Sequence, residues 1–274
     1  MVKRGKREPV VGSALGNVVC ERFSRTHADA DRVAVIAQFS LGERVSRSLN
    51  TLVAEFVRNG YRVVVVSASE VPGELRFAPD VVDDITVLRK PNIGYDFGSW
   101  ALGLAWDPAL ARRPHVILAN DSMVGPFVPL DPIFRTFEGS TSDVFGLTES
   151  TQFRRHLQSY FVGYRNGVLA DRVLDRFWKG IRHEADKNHV IQRNEIGVSS
   201  LLRREGYVLS SAFRGDQVGS AHENPTIMGW RRLLDVGFPF VKREIVRRPD
   251  LAPHGDRVPR VLKKKFDVDV EEWL

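Results

Sequence analysis

Cysteine is almost missing from this 274-residue chain: Cys20 stands alone. No disulfide can close within it and no paired-cysteine zinc site can form, so a reducing cytoplasm is the expected compartment. Long apolar runs are missing too. Stretches such as Arg62-Val63-Val64-Val65-Val66-Ser67 stop far short of the roughly 20 residues that a membrane-spanning helix needs. The basic start, Met1 to Pro9, leads into no sustained apolar core of the secretory kind. Glycine-rich phosphate loops are also absent. No Gly-x-Gly-x-x-Gly follows the first apolar run, Val33 to Phe39, and no Gly-x-x-x-x-Gly-Lys-Ser/Thr occurs anywhere, which argues against a dinucleotide oxidoreductase and a P-loop NTPase. No internal repeat or low-complexity tract marks a solenoid or a disordered linker.

What is present is an ordinary globular composition, 43% hydrophobic and 27% charged. Forty Lys and Arg against 34 Asp and Glu leave a formal charge of +6, with a pI near 9.6. An excess of that size suits a solvated surface, or affinity for phosphates or an anionic membrane. The basic residues are dispersed and form no stripe interleaved with aromatics, so nucleic acid is not an expected partner.

Along the chain, apolar runs and helical periodicities alternate. Val33 to Phe39 reads as a buried strand; Leu49, Leu52, Val53, Phe56 and Val57 recur at helical spacing and stop at Asn59-Gly60; Tyr61 to Ser67 is the next strand. Ile85 to Leu88 and Val116 to Ala119 read as further strands, with a short helix from Trp100 to Trp106 between them. Pro129 to Phe137 reads as a helix, and Val144 to Leu147 and Ser159 to Tyr164 as strands. Leu169, Val173, Phe177 and Ile181 predict one helix, Val190 to Glu205 another, Tyr207 to Leu209 a strand, and Trp230 to Val236 a helix closed by Gly237. Such alternation predicts one α/β domain with a mostly parallel, Rossmann-like sheet and helices on both faces.

Ligands of open α/β sheets sit beyond the carboxyl ends of the strands, so the residues there are the first candidates. After the third strand comes Arg89-Lys90-Pro91-Asn92-Ile93-Gly94-Tyr95-Asp96-Phe97-Gly98-Ser99-Trp100. Gly94 and Gly98 allow close backbone approach, and Asn92 and Asp96 can bind hydroxyls or a base edge; a tight turn with Asp96 near a helix start is the plainer reading. The fourth strand empties into Asn120-Asp121-Ser122, followed by Gly125-Pro126. A divalent cation bridging Asp121 to a diphosphate is chemistry suited to that place, and an Asx-type turn is the alternative.

These two blocks, with His156-Leu157-Gln158-Ser159-Tyr160-Phe161, Asn194-Glu195-Ile196-Gly197-Val198-Ser199 and Asn224-Pro225-Thr226 through Trp230 to Glu244, resemble the rhamnan synthesis protein F family of glycosyltransferases. The resemblance covers roughly Val33 to Arg247 in five ordered blocks. It implies an A-type glycosyltransferase fold and transfer of L-rhamnose from dTDP-L-rhamnose onto a surface polysaccharide. It further implies a glycosyltransferase domain over 32–248, with a nucleotide-sugar half (32–122) and an acceptor half (123–248), after a basic lead-in (1–31) and before a tail (249–274). Members of that broad fold usually carry Asp-x-Asp after the fourth strand, whereas Ala119-Asn120-Asp121 keeps only the second carboxylate.

From the resemblance, Asn92, Gly94, Asp96, Asp121, Lys242 and Arg243 are expected to hold the donor, and His156 and Ser159 the acceptor. Asp121 and His222 are candidate ligands of a divalent magnesium or manganese ion, with Lys242 or Arg243 on the diphosphate as the metal-independent alternative. Glu195 is placed where similar inverting enzymes carry their catalytic carboxylate. Asp121 and Asp96 being committed to the donor, it is the remaining candidate for the general base; a first-turn glutamate favoured by the helix dipole is the plain alternative. The expected partners are a nucleotide-sugar donor and a saccharide or lipid-linked saccharide acceptor. The basic runs Lys3-Arg4-Lys6-Arg7 and Lys263-Lys264-Lys265 suggest peripheral contact with the anionic inner face of the cell membrane. A non-catalytic sugar-nucleotide binding subunit, motivated by the reduced acidic motif, is the rival to an enzyme.

Overall fold

The computed structural model describes residues 8–184, 186–218 and 222–274. The Lys3-Arg4-Lys6-Arg7 run lies outside the described residues. A central mixed sheet carries strands β1 (Val19–Arg22), β2 (Arg32–Gln38), β3 (Arg62–Ser67), β4 (Ile85–Arg89) and β5 (His115–Asn120). A short β6 (Met123–Val124) lies outside it; β7 (Val144–Ser150), β8 (His156–Leu157), β9 (Phe161–Arg165) and β10 (Leu209–Phe213) complete the sheet. Its order is β1-β4-β3-β2-β5-β9-β7-β10, with β8 paired to β7. The strands β2, β3, β4, β5, β7 and β10 run one way, and β1, β8 and β9 run against them. The sheet is therefore mostly parallel, as the alternation of elements predicts.

The parallel half forms because its strands are uninterrupted apolar runs. Residues 33–38 and 62–67 are buried throughout, as strands covered on both faces must be. Alternate residues go to opposite sides: Ala34 and Ile36 pack in one core with Leu49, Val53 and Phe56, while Val33, Val35 and Ala37 pack in another with Phe97, Trp100 and Leu102. The first core is covered by α2 (Arg47–Arg58), whose apolar positions fall on one stripe. Ser46 caps this helix by accepting from the Leu49 N–H at 3.3 Å, and Gly60, at φ +76°, turns the chain away from its end. Phe56 is wholly buried there; its truncation to alanine costs about 3–5 kcal/mol in such a setting.

The second core is covered by α3 (Tyr95–Trp106) and α5 (Arg172–Lys179). Helix α3 begins five residues before the expected Trp100. It is apolar on nearly every side, from Phe97 to Leu104, and a helix without a polar face leaves no periodic signal. The Leu169-to-Ile181 stripe is not one helix either. Asp171 takes an extended conformation (φ −60°, ψ 140°) and separates a 3-10 turn, Val168–Ala170, from α5.

Segment 8–31, read as a lead-in, supplies α1 (Val10–Ala14) and the edge strand β1. Val10 and Ala14 are buried in the second core, and Glu21 pairs with Arg89 at 2.7 Å. The tail 249–274 is likewise built into the molecule. After α8 (Pro225–Met228), α9 (Trp230–Asp235) and α10 (Arg243–Arg247), its helix α11 (Val258–Phe266) and residues Val270 and Trp273 close a third core with Val124, Trp230, Val241 and Ile245. The 190–205 helix is composite. After α6 (Lys187–Val190) a π-helical turn, Ile191–Glu195, precedes α7 (Ile196–Arg204).

Candidate functional site

From β2 the chain steps outward to β3 and β4, then returns through α3 to β5 on the other side of β2. The tips of β2 and β5 thus send their loops in opposite directions, which opens a crevice between them. Into it opens a cleft of about 670 Å³. Its lining includes Asp96, Asn120, Ser122, His156, Ser159, Glu195, Lys242 and Arg243.

On the sheet side, Gly94 at φ +80° and Tyr95 at φ +53° swing the chain from the tip of β4 into α3, placing Asp96 in the first helical turn. A side chain at Gly94 would meet Val10 at 2.8 Å and the Gly98 backbone at 2.9 Å. Asn120, last residue of β5, donates from Nδ2 to Asp96 Oδ2 at 2.7 Å, and its Oδ1 accepts from Ser122 N at 3.1 Å and Oγ at 2.7 Å. Burial pushes the Asp96 carboxyl up, helped by the Glu195 charge, while the Asn120 bond and the Lys90 and Lys242 charges pull it back.

Lys90 escaped the sequence reasoning. It sits at 3% exposure behind the site, and Nζ donates to the carbonyls of Pro91 at 3.0 Å and Ile93 at 2.8 Å. Burial lowers its ammonium to about 8 against the opposing charge of Asp96. A lysine directly after a buried strand was the available signal.

On the far side, Glu195 closes the π-helical turn and is half-buried. Its Oε1 accepts from Ser159 N at 2.6 Å and from Ser159 Oγ at 2.9 Å. His156, on β8, is 4% exposed and its Nδ1 donates to the Arg154 carbonyl at 2.7 Å, which leaves Nε2 for the cleft. Lys242 ends β11 (Val241–Lys242), which pairs with β6, and Arg243 opens the helix Arg243–Arg247. The Arg243 guanidinium donates to the Asp121 carbonyl at 3.1 Å and to Ser46 Oγ at 3.2 Å.

Four candidates fall elsewhere. Asp121, one residue past the end of β5, is not on the cleft lining, and its Oδ2 accepts from the Phe39 N–H at 3.1 Å. Burial, with the Asp96 charge adding to it, raises its carboxyl to about 7. Asn92 is exposed, on the turn between the two carbonyls that Lys90 holds. Gly94 is a backbone pivot under Val10. His222 is exposed at φ +66°, its N–H donating to Thr151 Oγ1 at 2.9 Å. Asp121 and His222 are both absent from the cleft lining, so the structure does not bring them together there as ligands of one ion. Among the described residues no three His, Cys, Asp or Glu side chains gather as metal ligands. Nor is any helix there long and apolar enough to cross a membrane.

The family model for Rhamnan synthesis protein F matches residues 63–272. Virulence protein VirA of Vibrio anguillarum (strain ATCC 68554 / 775) is 27% identical over 192 residues, covering 58% of this chain and 62% of that protein. Uncharacterized protein y4gN of Sinorhizobium fredii (strain NBRC 101917 / NGR234) is 28% identical over 230 residues, covering 82% of this chain and 58% of that protein. The chain spans less than two thirds of the length of either relative.

Proposed function

This chain belongs to the rhamnan synthesis protein F family, and on that premise we propose that it is a glycosyltransferase moving L-rhamnose from dTDP-L-rhamnose onto a growing rhamnose-containing saccharide, with inversion. The observation that carries the reading is the pairing of unlike charges in one cleft: the Glu195 carboxylate, and the cations Lys242, Arg243, Arg247 and Arg248. The strand order, with an antiparallel β9 set between the parallel half and β7, supports the A-type glycosyltransferase fold.

In this mechanism Asp96 and Asn120 hold donor hydroxyls at the switch point, and the basic side chains balance the diphosphate as it leaves. Glu195 takes the proton of the acceptor hydroxyl as its oxygen bonds to the anomeric carbon and the carbon–oxygen bond to dTDP breaks. Ser159 aims the base: both its bonds fall on Oε1, so the carboxylate is fixed while Oε2 is left for the incoming hydroxyl. No step is routed through a metal. The acceptor is proposed to be lipid-linked and reached by peripheral contact with an anionic membrane. On α11, two of the three lysines already pair with acids, Lys263 with Asp267 and Lys265 with Asp235, which weakens that attraction.

The absence of Asp121 from the cleft lining favours one second reading, a subunit that binds sugar nucleotide without turnover. Release of dTDP from dTDP-L-rhamnose in the presence of a rhamnose oligosaccharide decides between them. Product NMR then checks the stereochemistry: a β-linked donor must give an α-linked product, and retention would overturn the single-base mechanism.

A further inference from the structure

Seven non-glycine residues among those described have positive φ: His27, Tyr95, Phe153, Asn166, His222, His254 and Asp267. Only Tyr95 and Phe153 among them carry a benzene ring, and both line the same cleft. Left-handed backbone is costly for a bulky residue, and asparagine or glycine would take these positions with less strain. Burial does not compensate. Phe153 is 70% exposed and Tyr95 43% exposed, so neither ring is hidden in a core. Phe153, at φ +64°, thus breaks a backbone rule and a burial rule at once and gains nothing for the fold. Locally unfavourable choices of that kind gather where a ligand is bound.

The neighbours of Phe153 indicate what the ligand is. Gln152, His156 and Glu195, whose carboxylate Ser159 fixes, line the same cleft. A flat apolar ring beside hydrogen-bonding side chains suits a molecule with one hydrocarbon face and a rim of hydroxyls. A nucleoside diphosphate belongs with the basic side chains Lys242 and Arg243 instead. Pyranose rings meet the description, and 6-deoxyhexoses best of all, since their methyl group adds to the apolar face.

We infer that Phe153 is a stacking platform for a sugar ring of the acceptor saccharide, with Tyr95 as a second aromatic contact in the same cleft. The inference rests on the proposed function for the sugar's identity, but it concerns binding and not turnover. The acceptor's terminal residue would lie with its C–H face on the Phe153 ring and its hydroxyls toward His156 Nε2 and Glu195, which selects for saccharides whose stacking face is free of axial hydroxyls.

The test is direct binding of a rhamnose oligosaccharide to the full chain, by saturation-transfer NMR and titration calorimetry, with dTDP titrated in parallel. Phe153→Asn tolerates the left-handed backbone, so its melting temperature should equal or exceed that of the unaltered protein while saccharide affinity falls roughly three- to ten-fold. Phe153→Tyr should restore it, and dTDP affinity should move in neither. Saccharide binding unchanged in Phe153→Asn, or absent from the unaltered protein, overturns the platform. Failure of the proposed function looks different: dTDP-L-rhamnose would then yield no product although the saccharide still binds through Phe153.

Discussion

On the sheet side of the cleft, Asp96 is held by Asn120 at the ends of buried elements, with Lys90 behind it. On the far side, Glu195 rides on a widened helical turn and is held by one serine. The first group is crowded by other charges, and the protonation of Asp96 is set first by burial and then by those neighbours. The second is half-exposed and held through a single oxygen. Enclosed groups suit recognition of a ligand that must be desolvated; a carboxylate with one oxygen unspent suits a proton transfer. Substitutions on the two sides should therefore change different quantities.

The largest effect is expected from Glu195→Gln, which keeps the shape and removes the base. It should lower kcat by about 10²- to 10⁴-fold with donor affinity hardly changed, measured by steady-state kinetics beside calorimetric titration of dTDP. A fall in donor affinity of similar size would erase the distinction between the two sides.

Asp121 gives the next. Burial raises its carboxyl from the ordinary value of 3.8 to about 7, so between those values the folded protein is expected to keep a proton that the unfolded chain has lost. Stability must therefore fall as pH rises from about 4 to about 7 and stay lower above. Asp121→Asn, which still accepts from the Phe39 N–H, should be more stable than the unaltered protein by about 2–4 kcal/mol at pH 8 and indistinguishable from it near pH 4. Parallel urea titrations at the two pH values read this directly.

Asp96→Ala should weaken donor binding by about 10- to 100-fold, because it removes a charge-assisted hydrogen bond and strands the Asn120 amide. Calorimetry with dTDP-L-rhamnose measures it; an effect on kcat alone would move Asp96 to the chemistry. The smallest effect concerns the membrane. Sedimentation with anionic liposomes should fall as salt rises from about 50 to 500 mM, and equal recovery on neutral liposomes would count against electrostatic docking.

The parallel half of the sheet was readable because its strands are continuous apolar runs ending in polar residues; Asn120 and Asp96 were visible as strand-end groups for that reason. What escaped reading depends on contacts distant in sequence. Val19-Cys20-Glu21-Arg22 becomes a strand only because β4 offers an edge to it, and the widened turn before Ile196 leaves no mark in periodicity. Asp121 is the instructive case. It lies one residue past the end of β5, where no strand pattern says which way a side chain goes, and its carboxylate meets the Phe39 N–H while Asn120 and Ser122 line the cleft. The exposure of Phe153 could be known only once its loop had a backbone.

Strand β1 also bears on how the protein behaves in a crowded solution. It lies antiparallel on the outer side of β4, with Val19 opposite Arg89 and Cys20 opposite Leu88. Without it, β4 would present a bare row of amides and carbonyls on which another chain could template itself. β1 is only four residues long, and its second half is charged, Glu21 pairing with Arg89 and Arg22 with Glu74 and Asp83, so the border it makes offers little for another strand to pair with. The segment therefore covers the edge of β4, and its removal is expected to show first as turbidity and self-association.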